Sequence, residues 1–149
     1  EAVIEIDREA FARGGTTSAI DVREEAARPW SRIFVAREKD VPVAYLVAWH
    51  VADELHLLAI ATAVHRRRAG IGRALVQRLV DFAFERDVLH IFLEVRRSNE
   101  AAIALYRSFG FYLLGLRAKY YTDGEDALEM AIALDPQQKR VLARDDEEL

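Results

Sequence analysis

Apolar residues at helical spacing predict two helices at the start of the chain. The first covers residues 2–12, where the apolar positions fall near one helical face. The second covers residues 19–27, because Ser18 suits the N-cap position and Pro29 disfavours helical backbone just before it. The "GGTTS" between them has the composition of a loop.

Apolar runs with strand composition follow, separated by turn residues. The first two predict a hairpin that turns near Lys39 and Asp40, and the last two predict a hairpin that turns at "TDG". The third run is apolar enough to be a buried central strand. The predicted strands cover residues 32–38, 41–52, 55–64, 88–95, 111–121 and 127–134.

Two longer helices separate the third strand from the fourth and the fourth from the fifth. Apolar residues recur at helical spacing from Ile71 to about Arg86. The next helix is predicted between an N-cap at Ser98 or Asn99 and a C′ glycine at Gly110. A strand–helix–strand order requires a crossover and therefore at least one parallel pair. The sequence thus predicts a mixed α/β sheet.

The C-terminal residues lack a lasting apolar pattern from Asp135 onward, and the chain closes on "DDEEL". We therefore expect one domain over residues 1–134 and a mobile tail over residues 135–149. The chain begins at Glu1 rather than at methionine, which leaves a trimmed N-terminus open.

Composition narrows the class of protein. The chain has 149 residues, of which 52% are hydrophobic and 31% charged, as in a globular domain. It shows no apolar run long enough to cross a membrane, and we expect a cytoplasmic protein. With no cysteine and no metal-ligand spacing among its histidines, no metal site is expected. A net charge of −4 disfavours nucleic-acid binding.

The stretch "RRRAGIGRAL" joins the predicted central strand to the first long helix. Gly70 and Gly72 let the main chain approach a bulky anion at the helix N-terminus. Arg67, Arg68 and Arg73 can add charge-assisted hydrogen bonds. The spacing fits neither a Walker loop nor a dinucleotide loop, so a plain basic turn and a phosphate cradle both stay open.

With Arg67, Gly70 and Gly72 at fixed positions, the sequence resembles the GNAT superfamily of N-acetyltransferases, whose signature is Q/R-x-x-G-x-G/A. "LEVRRSNEAAIALYRSFGF" and "RAKYYTDGEDALEM" resemble ribosomal-protein-alanine N-acetyltransferases of the RimI type. The resemblance covers residues 53–134. It implies the GNAT fold: a mixed, mostly antiparallel central sheet with helices on both faces and a parallel pair splayed at the acetyl-CoA site.

The resemblance also implies how acetyl-CoA is held. The glycine loop would hold its pyrophosphate, and the preceding strand would pair its backbone with the pantetheine arm. The implied cofactor-binding residues are Ile60, Ala61, Thr62, Arg67, Arg68, Ala69, Gly70, Ile71, Gly72, Arg73, Ala74, Asn99 and Tyr106.

Glu94 interrupts the apolar strand "IFLEV". A carboxylate in a buried strand is costly unless it is paired, but near the end of a strand in an open sheet it faces the ligand crevice. One interpretation is a salt bridge to Arg96 or Arg97. The resemblance implies instead that Glu94 is a general base for the incoming amine.

Tyr106 lies on the predicted helix two turns after Asn99. It could simply pack beside Phe109. The resemblance implies that its phenol protonates the departing thiolate, which is general acid catalysis. Asn99 could cap the helix, hydrogen-bond the pantetheine arm, or do both.

Two segments contain candidate residues for the site that binds the acceptor. Tyr120, Tyr121 and Asp123 could provide cross-strand packing and a turn, or, by the resemblance, a wall of the peptide site. Asp53 and Glu54 could form a turn or supply acidity near a basic peptide.

The sequence and the resemblance together predict transfer of an acetyl group to a protein N-terminal α-amine, namely the N-terminal alanine of a small-subunit ribosomal protein. Other acceptors remain open, namely a small-molecule amine or a lysine, as does a coenzyme-binding protein without catalysis. We expect a monomer or weak dimer.

Overall fold

The computed structural model describes residues 21–66 and 70–148, and there the elements follow the predicted order. The predicted helix over residues 2–12 and Ser18 lie outside the described residues. The elements are α1 (Val22–Ala26), β1 (Ser31–Glu38), β2 (Val41–Val51), β3 (Glu54–Thr62), a 3₁₀ turn (Val64–Arg66), α2 (Ile71–Glu85), β4 (His90–Arg96), α3 (Glu100–Phe109), β5 (Tyr112–Arg117), β6 (Ala127–Asp135) and β7 (Arg140–Leu142).

The chain divides into two compact units. The first comprises the described residues of Glu1–Val51 and Leu57–Phe82, and the second comprises Ala52–His56 and Ala83–Leu149. In the part of the chain that is described, no helix is both long and apolar enough to cross a membrane.

The first unit is built on the predicted hairpin of β1 and β2. The strands are antiparallel, and the turn residues Lys39 and Asp40 have φ of 50° and 66°. The register shifts between Ala36 and Arg37, where Arg37 lies opposite Pro42. Proline has no N–H to donate to the ladder, so a bulge beside it is the expected accommodation.

Helices cover both faces of this hairpin. On one face Phe34 meets Phe82 of α2 edge-on, with ring centroids 5.5 Å apart. On the other face Val22 of α1 packs with Tyr45 and Val47 in a buried cluster. The alternation of side chains along a strand explains this division, and the predicted helices on both faces are confirmed here.

Helix α1 begins later than predicted. Its N-cap is Asp21, whose Oδ1 accepts hydrogen bonds from the backbone N–H of Arg23 at 3.0 Å and of Glu24 at 3.2 Å. Aspartate caps a helix as well as serine does, and Val22 and Glu25 are the residues that α1 buries. The predicted start at residue 19 is therefore wrong.

In the second unit β4 pairs with β6, and β6 pairs with β5, all antiparallel. Ile91, Leu93 and Val95 of β4 are buried, whereas Glu94 is exposed. This is the pattern of a strand with one face against the core.

Helix α3 has the predicted caps. Asn99 accepts a hydrogen bond from Ala102 N–H at 3.1 Å, which confirms it as the N-cap. Gly110 ends the helix with φ of 106°, a left-handed conformation that favours glycine. A Cβ at Gly110 would lie 2.8 Å from Val141 Cγ1, so β7 packs directly on this turn.

The segment after Asp135 contains a strand that the sequence did not predict, whereas the mobility expected of the tail stays a prediction. β7 pairs with β6, with Val141 opposite Leu134. Farther on, Asp146 accepts a hydrogen bond from Leu113 N–H at 2.8 Å and pairs with Arg107 at 2.9 Å. A strand of three residues carries too short an apolar pattern to predict it.

Candidate active site

The start of α2 has the features of an anion-binding helix terminus. Gly70 has φ of 77°, and a Cβ built there would meet no atom within 4 Å. Its carbonyl accepts the first helical hydrogen bond, from Ala74 N–H at 3.1 Å. The first turn carries no acidic residue. Because that turn leaves backbone N–H groups without helical partners, it can receive a phosphate.

The predicted basic cradle is described only in part. Arg67, Arg68 and Ala69 lie outside the described residues. Arg66, which begins the arginine run, forms an ion pair with Glu38. Gly70 and Ile71 to Ala74 lie at the start of α2 as predicted, with Arg73 and Ala74 exposed.

Ile60, Ala61 and Thr62 are the last residues of β3. The side chain of Ala61 is buried in the same cluster as Val22. It follows that Ala61 could contact a ligand only through its main chain, which is the kind of contact expected of a strand beside a pantetheine arm. Ile60 and Thr62 are half-buried.

Glu94 stands on the exposed face of β4, and the interpretation that it forms a salt bridge to Arg96 or Arg97 is wrong. Arg96 binds the carboxylates of Asp123 and Glu125 instead, at 2.8 and 2.9 Å. Arg97 pairs with Asp126 at 3.3 Å. Among the described residues, no side chain forms an ion pair or hydrogen bond with Glu94. Its carboxylate is therefore available to accept a proton.

A second carboxylate lies across the strand from Glu94. Glu129 of β6 is its register partner. Glu129 is bound by Arg117 of β5, with Nε to Oε1 at 2.6 Å. The hydrogen bond to Glu129, and next the charge of Glu129, raise the pKa of Arg117, and the charge of Glu94 adds to this to a smaller extent. Arg117 thus neutralises the neighbour that would otherwise repel Glu94.

Tyr106 is buried on α3, with 5% of its surface exposed. Its ring lies 5.6 Å from that of Phe111 at an angle of 56°, an aromatic contact of the kind that packing alone would give. No hydrogen bond to its hydroxyl comes from the residues that the structure describes. Burial, and next the negative charge of an ionised Tyr121, raise the pKa of Tyr106, so the phenol remains protonated at neutral pH.

Tyr120 and Tyr121 follow β5 as an edge-to-face pair, with centroids 5.1 Å apart. Tyr120 is 47% exposed, whereas Tyr121 is half-buried. Burial raises the pKa of Tyr121 to about 12; the charge of Arg96 opposes this shift, and Tyr120, Glu94 and Glu125 add to it. The two residues are sequence neighbours that lie beyond the end of β5, so their contact is not the cross-strand packing that one interpretation predicted.

Sequence reasoning missed the ion pairs that order the segment around Tyr121. Arg96 Nη1 reaches both Asp123 and Glu125, and Glu125 also accepts a hydrogen bond from Ser98 N–H at 2.9 Å. The bond with Ser98, and then Arg96, hold the pKa of Glu125 below its usual value. The signal available in the sequence was the surplus of acidic residues in "YTDGEDALE", which requires cations nearby.

Asp53 lies in the turn between β2 and β3, as one interpretation had it. Its carbonyl accepts hydrogen bonds from Leu89 N–H at 2.8 Å and His90 N–H at 3.4 Å. Glu54 lies 3.7 Å from His56 Nε2. The acidity proposed for a basic peptide stays a prediction.

Comparison with known proteins identifies a family. The acetyltransferase (GNAT) family matches residues 1–111. The ribosomal protein bS18-alanine N-acetyltransferase of Escherichia coli K12 is 46% identical over 94 residues, which is 61% of this chain and 64% of the relative. A putative enzyme of the same name from Bacillus subtilis 168 is 32% identical over 133 residues, 89% of this chain and 87% of that one.

A solved structure supports the same family assignment. The crystal structure of the ribosomal-protein-S18-alanine N-acetyltransferase from Escherichia coli matches with a TM-score of 0.74 and 32% identity, covering 97% of this chain and 88% of that chain. The expected GNAT fold, a mixed sheet with helices, is thereby confirmed, and the described residues contribute seven strands to it. The chain spans slightly less than two thirds of the length of the E. coli K12 relative in the sequence match.

Proposed function

Because this chain belongs to the acetyltransferase (GNAT) family, we propose that it transfers an acetyl group from acetyl-CoA to the α-amine of a protein N-terminus. The proposed acceptor is the N-terminal alanine of a ribosomal protein, as the names of the E. coli and B. subtilis relatives state for those proteins. The observation that carries the proposal is Glu94, an exposed carboxylate in an otherwise apolar strand, without an ion-pair partner among the described residues.

The residues at the start of α2 fit the diphosphate of acetyl-CoA. The open space over Gly70 and the absence of acidic residues in the first helical turn both suit an anion. When bound, acetyl-CoA supplies a thioester, whose carbonyl carbon is open to attack by an amine. The phosphates would be held by Gly70, Ile71, Gly72, Arg73 and Ala74. The pantetheine arm would be held by Ile60, Ala61 and Thr62. The proposed phosphate site also includes Arg67, Arg68 and Ala69.

Glu94 acts as the general base. It takes one proton from the attacking amine as the C–N bond forms and the C–S bond breaks. Its neighbour Glu129 is neutralised by Arg117 and does not compete for that proton. A positioned general base contributes about 10²–10⁴ to a rate.

Tyr106 acts as the general acid. Its phenol is protonated at neutral pH and its hydroxyl forms no hydrogen bond with any described residue, so it can donate to the sulfur as negative charge develops there. The proton that Glu94 has taken restores the phenol through water, and the protons balance over one turnover. Asn99, whose side-chain carbonyl caps α3, would offer its amide N–H to the pantetheine arm.

An α-amine suits this machinery better than a lysine does. Presenting an α-amine of pKa near 8 in its neutral form at pH 7 costs about 1.4 kcal/mol, whereas a lysine of pKa 10.4 costs about 4.6 kcal/mol. One carboxylate base is adequate for the first. Tyr120 and Tyr121 would form a wall of the peptide site, and Asp53 and Glu54 would attract a basic peptide.

Mass spectrometry of acetylated peptides tests the proposal. The protein is incubated with acetyl-CoA and a basic peptide that begins with alanine. The matched controls are the same peptide with a blocked N-terminus and internal lysines free, and small amines. We expect one added acetyl group, on the α-amine. Acetylation of the lysines or of the small amines instead would contradict the acceptor, and no acetylation of any amine would contradict the activity.

A further inference from the structure

We propose that Arg96 is a positioning residue that holds Tyr121 in place for the acceptor amine. This inference rests on the proposed function, because it assumes that Tyr121 lines the peptide site. Arg96 is the sixth residue after His90 on β4 and lies two positions beyond Glu94, on the same face of the strand.

The guanidinium of Arg96 is fixed by two carboxylates. Nη1 lies 2.8 Å from Asp123 Oδ2 and 2.9 Å from Glu125 Oε1. Each of these carboxylates has its own backbone donor: Ser98 N–H for Glu125 at 2.9 Å, and Glu125 N–H for Asp123 at 3.0 Å. The side chains of Arg96 and Glu125 are 22% and 25% exposed, whereas that of Asp123 is 61% exposed. Such charge-assisted bonds fix direction as well as distance.

The same guanidinium stacks on Tyr121. Arg96 Cζ lies 4.0 Å from the centroid of the tyrosine ring, well inside the range of a cation–π contact. The backbone closes around this contact, since Tyr121 N–H bonds to Glu125 carbonyl at 3.1 Å and Gly124 N–H bonds to Tyr121 carbonyl at 2.9 Å. Gly124 has φ of 90°, which the tight turn requires. Tyr121 is therefore held from its ring and from its main chain.

Tyr121 has reason to be held there. It lies near both groups assigned to the chemistry, because the charge of Glu94 contributes to the raised pKa of Tyr121, and an ionised Tyr121 would raise the pKa of Tyr106. Arg97 offers the contrast. Its guanidinium forms an ion pair at 3.3 Å with Asp126, a residue of the same segment, but it does not stack on the Tyr121 ring. If Arg96 only had to attach this segment to β4, an ion pair like that between Arg97 and Asp126 would be enough.

A double-mutant cycle distinguishes a role of Arg96 in positioning Tyr121 from a purely structural role in attaching the segment. The variants are Arg96→Met, Tyr121→Phe and the two combined, with Arg97→Met as the matched control and Arg96→Lys as the conservative change. KM for the alanine peptide, KM for acetyl-CoA and kcat are measured for each. Misplacement of a contact group by about 1 Å can cost about 10²-fold, so we expect Arg96→Met to lower kcat/KM for the peptide by about 10- to 100-fold.

We expect KM for acetyl-CoA in Arg96→Met to stay within about twofold of the wild-type value. Arg96→Lys should recover part of the lost kcat/KM because it keeps the charge. Arg97→Met should have little effect on kcat/KM. In the Tyr121→Phe background the further loss from Arg96→Met should nearly vanish, since residues that act through one another are not additive. Equal losses in both backgrounds, or an equal loss from Arg97→Met, would overturn the positioning role.

A readout that does not depend on turnover separates the two claims. In protein labelled with ring-¹³C tyrosine, Arg96→Met should move the Tyr121 signal, identified with Tyr121→Phe, and Arg97→Met should not. If the wild-type protein does not acetylate the peptide, the proposed function is refuted. Unmoved Tyr121 signals in Arg96→Met refute the positioning role, whatever the activity.

Discussion

Glu94 on β4 and Glu129 on β6 lie directly opposite each other as an antiparallel register pair, and Glu129 is the one bound by Arg117. Like charges facing each other across two strands are destabilising unless one is neutralised. The arrangement gives two carboxylates different tasks: one is paired and fixed, and the other is left to accept a proton.

The first prediction concerns Arg117. Changing Arg117→Gln removes the cation from Glu129, whose negative charge then favours protonation of Glu94. The acid limb of the kcat/KM profile should move to higher pH. Arg140→Gln, which removes the exposed partner of Asp135, is the control. An unchanged acid limb in Arg117→Gln would mean that Glu129 does not influence the base.

The second prediction separates catalysis from packing at Tyr106. The hydroxyl is buried and has no hydrogen-bond partner among the described residues, so its removal in Tyr106→Phe should leave the melting temperature unchanged or higher. The rate kcat should fall by about 10²-fold, because a general acid is lost. Thermal unfolding and steady-state kinetics check this. A large fall in melting temperature with kcat preserved would assign Tyr106 to packing.

The third prediction is a dependence of stability on alkaline pH. The folded-state pKa of Tyr121 is raised to about 12, above its ordinary value of 10.0. The unfolded chain therefore loses this proton first, so stability is complete below about pH 10 and falls as the pH rises from 10 toward 12. Urea unfolding at several pH values should show a shallower decline in Tyr121→Phe.

Tyr120→Phe serves as the matched control for that experiment, since it removes the phenol of the exposed neighbour. The same alkaline decline in wild type and in Tyr121→Phe would contradict the assignment of the shift to Tyr121.

The fourth prediction concerns the turn after α3. Gly110→Ala places a Cβ 2.8 Å from Val141 Cγ1 at a residue with φ of 106°. The strained backbone and the close contact should lower the free energy of unfolding by about 1–3 kcal/mol. Gly115→Ala is the matched control, because its φ is not in the left-handed region and no atom lies within 4 Å of the new Cβ. Equal stability of the two variants, measured by urea unfolding, would show that β7 does not pack on this turn.

Much of the fold followed from local patterns. The caps Asn99 and Gly110 mark α3 because each residue type satisfies backbone groups that a helix leaves open. The hairpin of β1 and β2 followed from two apolar runs around a short polar turn. Both rest on residues that are close in sequence, so both can be inferred from sequence alone.

The features that escaped prediction depend on distant partners. Arg96 could be assigned to Glu94 by proximity in sequence, but its partners lie 27 and 29 positions away. β7 has three residues, of which only Leu142 is half-buried, too few to form a pattern. Ion pairs and short edge strands are set by the register of the sheet, which the sequence does not display.

The exposed position of Glu94 on an apolar strand was predictable, and its role as the base is the central claim. The most direct test is kcat/KM of Glu94→Gln with the alanine peptide, together with the dissociation constant for acetyl-CoA. We expect kcat/KM to fall by about 10²-fold or more with the acid limb abolished, and coenzyme binding to be unchanged. Activity within about threefold of wild type, with the acid limb intact, would contradict the account.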